Sequence, residues 1–311
     1  MEIRPLEPER DAAGVVELLR ETSPLIVVSP ASWAHRIRTI PGRAEQAGWV
    51  AEDDGQVVAN GWAFRTFFSA GSTSAMCGLT VTASHRRRGI GGRLMALIDA
   101  HVDALGSTTT IVSFEENDAG VAFAAAHGFR EERAEENSAA DLRTIDEQPF
   151  AAIDIRSVAQ IDPRLAYEVD VTATRDMPST EVIDEIPYDE WVEHVLEYPL
   201  FSAEGSFVGF VDGAPAAVSL LIADEASGRS MNMFTGTLSQ YRGRGLGLAV
   251  KLASIAWAKE RGITQMATRN DETNAPMLAI NRRLGFESAG RRVEWIREGT
   301  ASSRAPQAPA T

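Results

Sequence analysis

Arg86-Arg87-Arg88-Gly89-Ile90-Gly91 and Arg242-Gly243-Arg244-Gly245-Leu246-Gly247 both read Arg-x-x-Gly-x-Gly, and the second run lies 156 positions after the first. The correspondence continues downstream. Asn117 precedes Gly128-Phe129 by eleven positions, and Asn274 precedes Gly285-Phe286 by eleven. Four matched points with one residue of drift point to duplication. The period is too long for a solenoid repeat, so the repeating unit is a whole domain.

The flanking patterns agree. A strand is expected before each glycine run, over Ala75 to Thr82 and Met231 to Leu238. A helix follows each, with Leu94, Leu97, Ile98 and Val102 on one face in the first copy and Val250, Leu252 and Ile255 in the second. Then come a short strand (Thr109 to Phe114; Thr264 to Thr268), a second helix (Asp118 to His127; Ala275 to Leu284) stopped by the Gly of Gly-Phe, and a last strand. Upstream, Asp54-Gly55 and Asp212-Gly213 mark hairpin turns between apolar runs. This order predicts an α+β fold: two tandem domains, each a mostly antiparallel mixed sheet flanked by helices. The expected divisions are 1–146 and 147–299, with a linker around Ile145 to Phe150 and a disordered tail at 300–311.

The composition narrows the function classes. A formal net charge of -14 on 311 residues disfavours nucleic acid and anionic membrane surfaces and tolerates a cationic partner such as an amine. The single cysteine, Cys77, forbids an intrachain disulfide, fits a reducing cytoplasm, and sits in an apolar run as a structural thiol. No signal peptide and no membrane-spanning stretch are expected. The five histidines show no metal-ligand spacing.

A strand that ends in a glycine-rich turn and enters a helix points several backbone N–H groups one way. The unpaired amides of the first helical turn and the helix dipole make that place an anion site suited to pyrophosphate. A dinucleotide fingerprint would need a third glycine three positions on; Leu94 and Val250 stand there.

Strand, Arg-x-x-Gly-x-Gly, Asn and Gly-Phe together resemble the GNAT superfamily of acetyl-coenzyme A-dependent N-acetyltransferases. The resemblance covers nearly the whole chain and is similar to the tandem members of that superfamily, of which the mycothiol synthases are a family. It implies acetyl-CoA as cofactor. It implies that Arg242, Gly243, Arg244, Gly245, Leu246, Gly247 and Leu248 bind the pyrophosphate, and that Thr237, Leu238 and Ser239 pair with the pantetheine arm. The matching first-half positions are Val81, Thr82 and Ala83, then Arg87, Arg88, Gly89, Ile90, Gly91 and Gly92. Asn117 and Asn274 match the family Asn near the cofactor arm. One departure stands out. The Tyr that protonates the leaving thiolate in many members is replaced by Ala124 and Asn281.

The second half carries more polar residues around its pattern: Thr268, Asn270, Asp271, Asn274 and Asn281. It is therefore expected to be catalytic and the first half degenerate, with Asn281 donating to the thiolate and Glu185 the candidate base among the acids Glu181, Asp184, Glu185, Asp189 and Glu190. Pro187, Tyr188, Trp191 and His194 are expected near the substrate. The expected acceptor is a primary amine of a small molecule. The competing readings are a non-catalytic acyl-CoA-binding module and a protein amine acetyltransferase. A monomer whose two domains stand in for a dimer is expected, with no nucleic-acid partner and no membrane partner.

Overall fold

The computed structural model describes residues 1–67, 69, 71–146, 153–177 and 184–299. The expected tail, residues 147–150 of the expected linker, and Glu181 lie outside them. In chain order the elements are β1 (Glu2–Pro5), α1 (Pro8–Thr22), α2 (Pro30–Arg38), β2 (Ala47–Asp53), β3 (Gln56–Arg65), β4 (Ser74–Val81), α3 (Ile90–Ala104), β5 (Thr109–Glu115), α4 (Asp118–Ala126) and β6 (Arg130–Asp141). The second series is β7 (Asp154–Ser157), α5 (Pro163–Thr174), α6 (Tyr188–Trp191), β8 (Phe207–Val211), β9 (Ala214–Asp224), β10 (Arg229–Thr237), α7 (Leu246–Glu260), β11 (Gln265–Asp271), α8 (Ala275–Arg283) and β12 (Glu287–Glu298).

The chain forms two compact units, and each borrows from the other half of the sequence. The first comprises Met1–Pro24, Ile40–Arg133 and residues 292–299; the second comprises Leu25–Thr39 and Ala134–Arg291. The expected division at 146/147 separates the duplicated segments, and the compact units depart from it by these exchanges. In the first unit the strands run β1-β2-β3-β4-β5-β12, and in the second β7-β8-β9-β10-β11-β6. Each duplicated segment thus sends its last strand to the other unit. Val293 to Glu298 pair antiparallel with Phe114 to Thr109, and Glu135 to Asp141 with Asp271 to Gln265. The α2 segment crosses as well: Val27 packs with Tyr198 and Ile222, and the His35 ring lies 6.0 Å from that of Tyr198.

Within each unit the strands pair antiparallel except at one place. β4 runs parallel to β5 and is paired only from Ser74↔Thr109 to Cys77↔Val112; β10 runs parallel to β11 and is paired only from Arg229↔Gln265 to Asn232↔Thr268. Beyond those pairs the strands part. The hairpin turns form as their sequence requires. Asp54 and Gly55 have φ 49° and 79°, and Asp212 and Gly213 have 51° and 81°, the left-handed pair of a type I′ turn.

Candidate functional site

The two glycine runs fold alike. Gly89 and Gly245 take φ 81° and 78° as the residues just before α3 and α7, and neither helix start has a side-chain cap. The first-turn amides are therefore left for a ligand. Ile90 and Leu246 are buried and pin each helix start to its sheet. The opening arginines brace the loops: Arg86 Nε donates to the Val81 carbonyl and Arg242 Nε to the Thr237 carbonyl, each at 3.1 Å. Arg242 also pairs with Asp176. Arg87 and Arg88 lie at the exposed rim of the first loop; at the rim of the second, Arg244 stacks over the Tyr241 ring.

In the first unit this loop opens into a cleft of about 640 Å³. Gly89, Gly91 and Gly92 form its mouth, and Met95, Ile98, Val112, Phe123, Ala124 and Phe129 line its interior. A Cβ on Gly91 would come within 3.1 Å of the Phe123 ring, so glycine keeps this wall open. The cleft runs through the sheet where β4 and β5 part. Gly61 faces α3, since a Cβ there would meet Leu94 and Ile98. Neighbouring strand residues point to opposite faces. Trp62, and Gly78 pressed against its indole, therefore lie on the other face. Residues from both faces line the same cleft, including Leu19 and Thr22 of α1.

The far side also carries charge. Glu115 and Arg292 are directly paired across β5 and β12, with Arg292 Nη1 3.7 Å from Glu115 Oε1 and Arg292 Nη2 donating to the Ser113 carbonyl at 3.1 Å. Glu115 is the only carboxylate among the residues lining the cleft. At the loop edge, Glu21 accepts from Thr82 Oγ1 at 2.6 Å and from the Ala83 amide at 2.7 Å, and these bonds, the hydroxyl's first, hold its carboxyl below the usual range. The Thr82 amide donates to the Val58 carbonyl. The polar groups of Thr82 and Ala83 expected to meet the cofactor are thus partly engaged within the protein. Cys77 lines the cleft as a buried thiol whose pKa burial pushes up to about 12.

The second unit builds the corresponding place from different residues. Met95, Ile98, Val112 and Phe114 correspond, 156 positions on, to Lys251, Ser254, Thr268 and Asn270; Ala124 corresponds to Asn281 through the Gly-Phe match. Cys77 and Asn232 correspond as the last paired residues of β4 and β10. Lys251 is fully buried and donates to Asn281 Oδ1 at 2.6 Å; Asn281 Nδ2 donates to Asn270 Oδ1 at 2.7 Å. The ammonium lies 4.7 Å from the centre of the Phe286 ring. A second set joins Asn232 Nδ2 to Ser219 Oγ at 2.9 Å and Ser219 to Ser254 at 2.9 Å, with Thr235 Oγ1 donating to Asn232 Oδ1 and Thr268 Oγ1 to the Asn232 carbonyl. Asn281 was expected to meet a leaving thiolate. It is 1% exposed, and its amide bonds at both ends within the protein.

The other expected residues are placed as follows. Asn117 and Asn274 cap α4 and α8, accepting from the Gly120 and Met277 amides at 2.9 and 3.3 Å. Glu185 is ion-paired with Arg175 and accepts from the Tyr167 hydroxyl. Trp191 is buried and donates to Asp170 Oδ2 at 2.7 Å, while Tyr188 stacks beside it. In the second loop Leu238 donates to the Ala216 carbonyl, and Leu248 packs on the core. Lys251, Glu115 and Arg292 were missed. Lys251 had a signal: the sequence holds two lysines, and this one interrupts an apolar helix. Among the described residues no cluster of metal-binding side chains occurs, and no helix is long and apolar enough to cross a membrane.

The comparisons with known proteins agree with this geometry. The family model described as acetyltransferase (GNAT) family matches twice, at residues 13–129 and 169–286. A mycothiol acetyltransferase of Thermobifida fusca is 25% identical over 91% of this chain and 93% of its own. One from Clavibacter michiganensis is 27% identical over 70% and 71%. Among solved structures, a tandem GNAT protein from the clavulanic acid biosynthesis pathway superposes with TM-score 0.70 at 20% identity, covering 96% of this chain and 98% of that one. The glycine-bearing loop, the apolar passage and the parted strands fit acetyl-CoA. The chain belongs to the acetyltransferase (GNAT) family as a tandem member, an N-acetyltransferase that uses acetyl-CoA.

Proposed function

We propose that the acceptor is a primary amine of a small molecule and that transfer takes place in the first unit's cleft. The observation that carries this is the passage itself. It begins at the loop amides of Gly89 to Gly92, crosses the sheet between β4 and β5, and ends on a face bearing Trp62, Glu115 and Arg292. The expectation that the second half turns over rested on polar residues that each have a hydrogen-bond partner within the protein.

Acetyl-CoA supplies the acetyl thioester. The loop amides and the rim of Arg87 and Arg88 hold the negative end. The backbone of β4 beyond Cys77 has no β5 partner, so its amides can stabilise a developing oxyanion. Glu115, held by Arg292, accepts the proton of the attacking amine. Ala124 offers no proton donor, so the departing thiolate takes its proton from water. Trp62 and the Glu115 carboxylate suit an ammonium, which releases one proton to solvent on entry and gives a second to Glu115 as the neutral amine attacks. The names of the mycothiol acetyltransferase relatives support a small-molecule acceptor.

Free thiol released from acetyl-CoA over a panel of polyamines, aminoglycosides, amino sugars and amino acids tests this. At least one amine should release thiol. Glu115→Gln should then lower kcat by about 100-fold with the acetyl-CoA KM unchanged. The absence of Tyr favours one rival, a coenzyme A-binding module; tight binding with no thiol released from any amine would establish it instead. Turnover on protein amines alone would reassign the acceptor.

A further inference from the structure

We infer that the second unit's cofactor cleft is closed by its own side chains, and that the chain therefore binds coenzyme A in the first unit only. In the first unit, α3, β5 and α4 wall the passage through Met95, Phe114 and Ala124. In the second unit the same three walls carry Lys251, Asn270 and Asn281, and these side chains bond to one another. The bridge runs from α7 through α8 to β11, across the volume that a pantetheine arm would thread. Deeper in, the apolar Cys77, Ile98 and Val112 correspond to Asn232, Ser254 and Thr268, which are bonded into a second bridge between β9, β10, β11 and α7.

The loop above is intact. Gly243 and Gly245 take φ 76° and 78°, and the helix start has no side-chain cap. An anion site thus survives over a filled interior. Admitting the arm would break the Lys251–Asn281 and Asn281–Asn270 bonds and leave a buried amine without a partner. Burial alone already lowers the Lys251 pKa to about 7. With buried polar groups left unpaired, affinity should be at least about 100-fold weaker than in the first unit. This conclusion does not depend on the first unit being catalytic.

Calorimetric titration of the full chain with coenzyme A, followed by hydrogen–deuterium exchange of the complex, tests it. The expected result is one coenzyme A per chain, with amide protection gained at residues 87–93 and none at 243–249. Two equivalents per chain, with protection at both loops, would overturn the closure and leave the first-unit proposal standing. One equivalent with protection confined to 243–249 would overturn both. Protection at 87–93 without any thiol release from amines would leave the closure standing and remove the first-unit catalytic proposal.

Discussion

The two units share a loop and differ in what lies beneath it. Gly89 and Gly245 have nearly the same φ, Arg86 and Arg242 make the same bond to the preceding strand at the same distance, and Asn117 and Asn274 cap the corresponding helices α4 and α8. Below that line six cleft positions are apolar or thiol in the first unit and polar in the second. The motif that names a domain is therefore separable from the interior beneath it. An apolar passage stays open because its side chains have nothing to bond across it. Polar side chains in the same place reach for one another, since a buried donor or acceptor without a partner is costly.

The largest expected effect sets the two loops directly against each other. Gly91→Asp and Gly247→Asp are matched changes: each new Cβ meets one atom at 3.1 Å, Phe123 Cε2 in one case and Thr237 Oγ1 in the other. In the first helical turn a carboxylate suits the helix dipole, so the fold should hold. The same charge repels a diphosphate. Gly91→Asp should weaken coenzyme A binding by about 100-fold or more. Gly247→Asp should change it by less than about twofold. Calorimetry on both variants reads the difference, and equal losses would erase the asymmetry.

Much of this was legible in the sequence. The duplicated motif, the Asp-Gly turns and the order of elements all carry local signals. The strand exchange does not. Arg130 to Asp141 and Glu287 to Glu298 are rich in charges of both signs. Nothing local says which copy of the central strand such a strand will pair with, because the choice depends on contacts between residues far apart in sequence. The bonding inside the second unit was not legible for a related reason. Thr268, Asn270 and Asn281 read as the polar equipment of a site until their partners are known, and one of those partners, Lys251, lies in an apolar helix.

The next effect concerns stability. Lys251 has a folded pKa near 7 against an ordinary 10.5, with burial as the sole cause. Between these values the unfolded chain binds a proton that the folded chain does not, so stability should rise as pH goes from about 7 to about 10 and stay flat with respect to this group below 7. The full span is worth roughly 3–5 kcal/mol. Asp170, raised to about 6 by burial, acts in a separate window, lowering stability as pH rises from about 4 to 6. The double change Lys251→Met with Asn281→Ala copies the first unit's Met95 and Ala124. It should abolish the rise above pH 7, as read from urea midpoints at pH 7 and 9.5. A rise of unchanged size would mean that Lys251 is not the group responsible.

The smallest effect lies in the loop itself, where the copies differ by one backbone choice. Arg87 takes φ 62° where the second copy has Gly243 at 76°. A side chain in the left-handed region costs about 1 kcal/mol or somewhat more, and glycine removes that strain at some cost in unfolded-state entropy. Arg87→Gly should therefore raise stability by up to about 1 kcal/mol. The same change removes a cation from the cleft mouth, so coenzyme A affinity should fall severalfold, and less steeply at high salt. The two readouts move in opposite directions only if Arg87 is strained for the sake of the anion. Unchanged affinity with increased stability would show the residue to be a tolerated flaw of the loop, and loss of both would show that its side chain supports the turn.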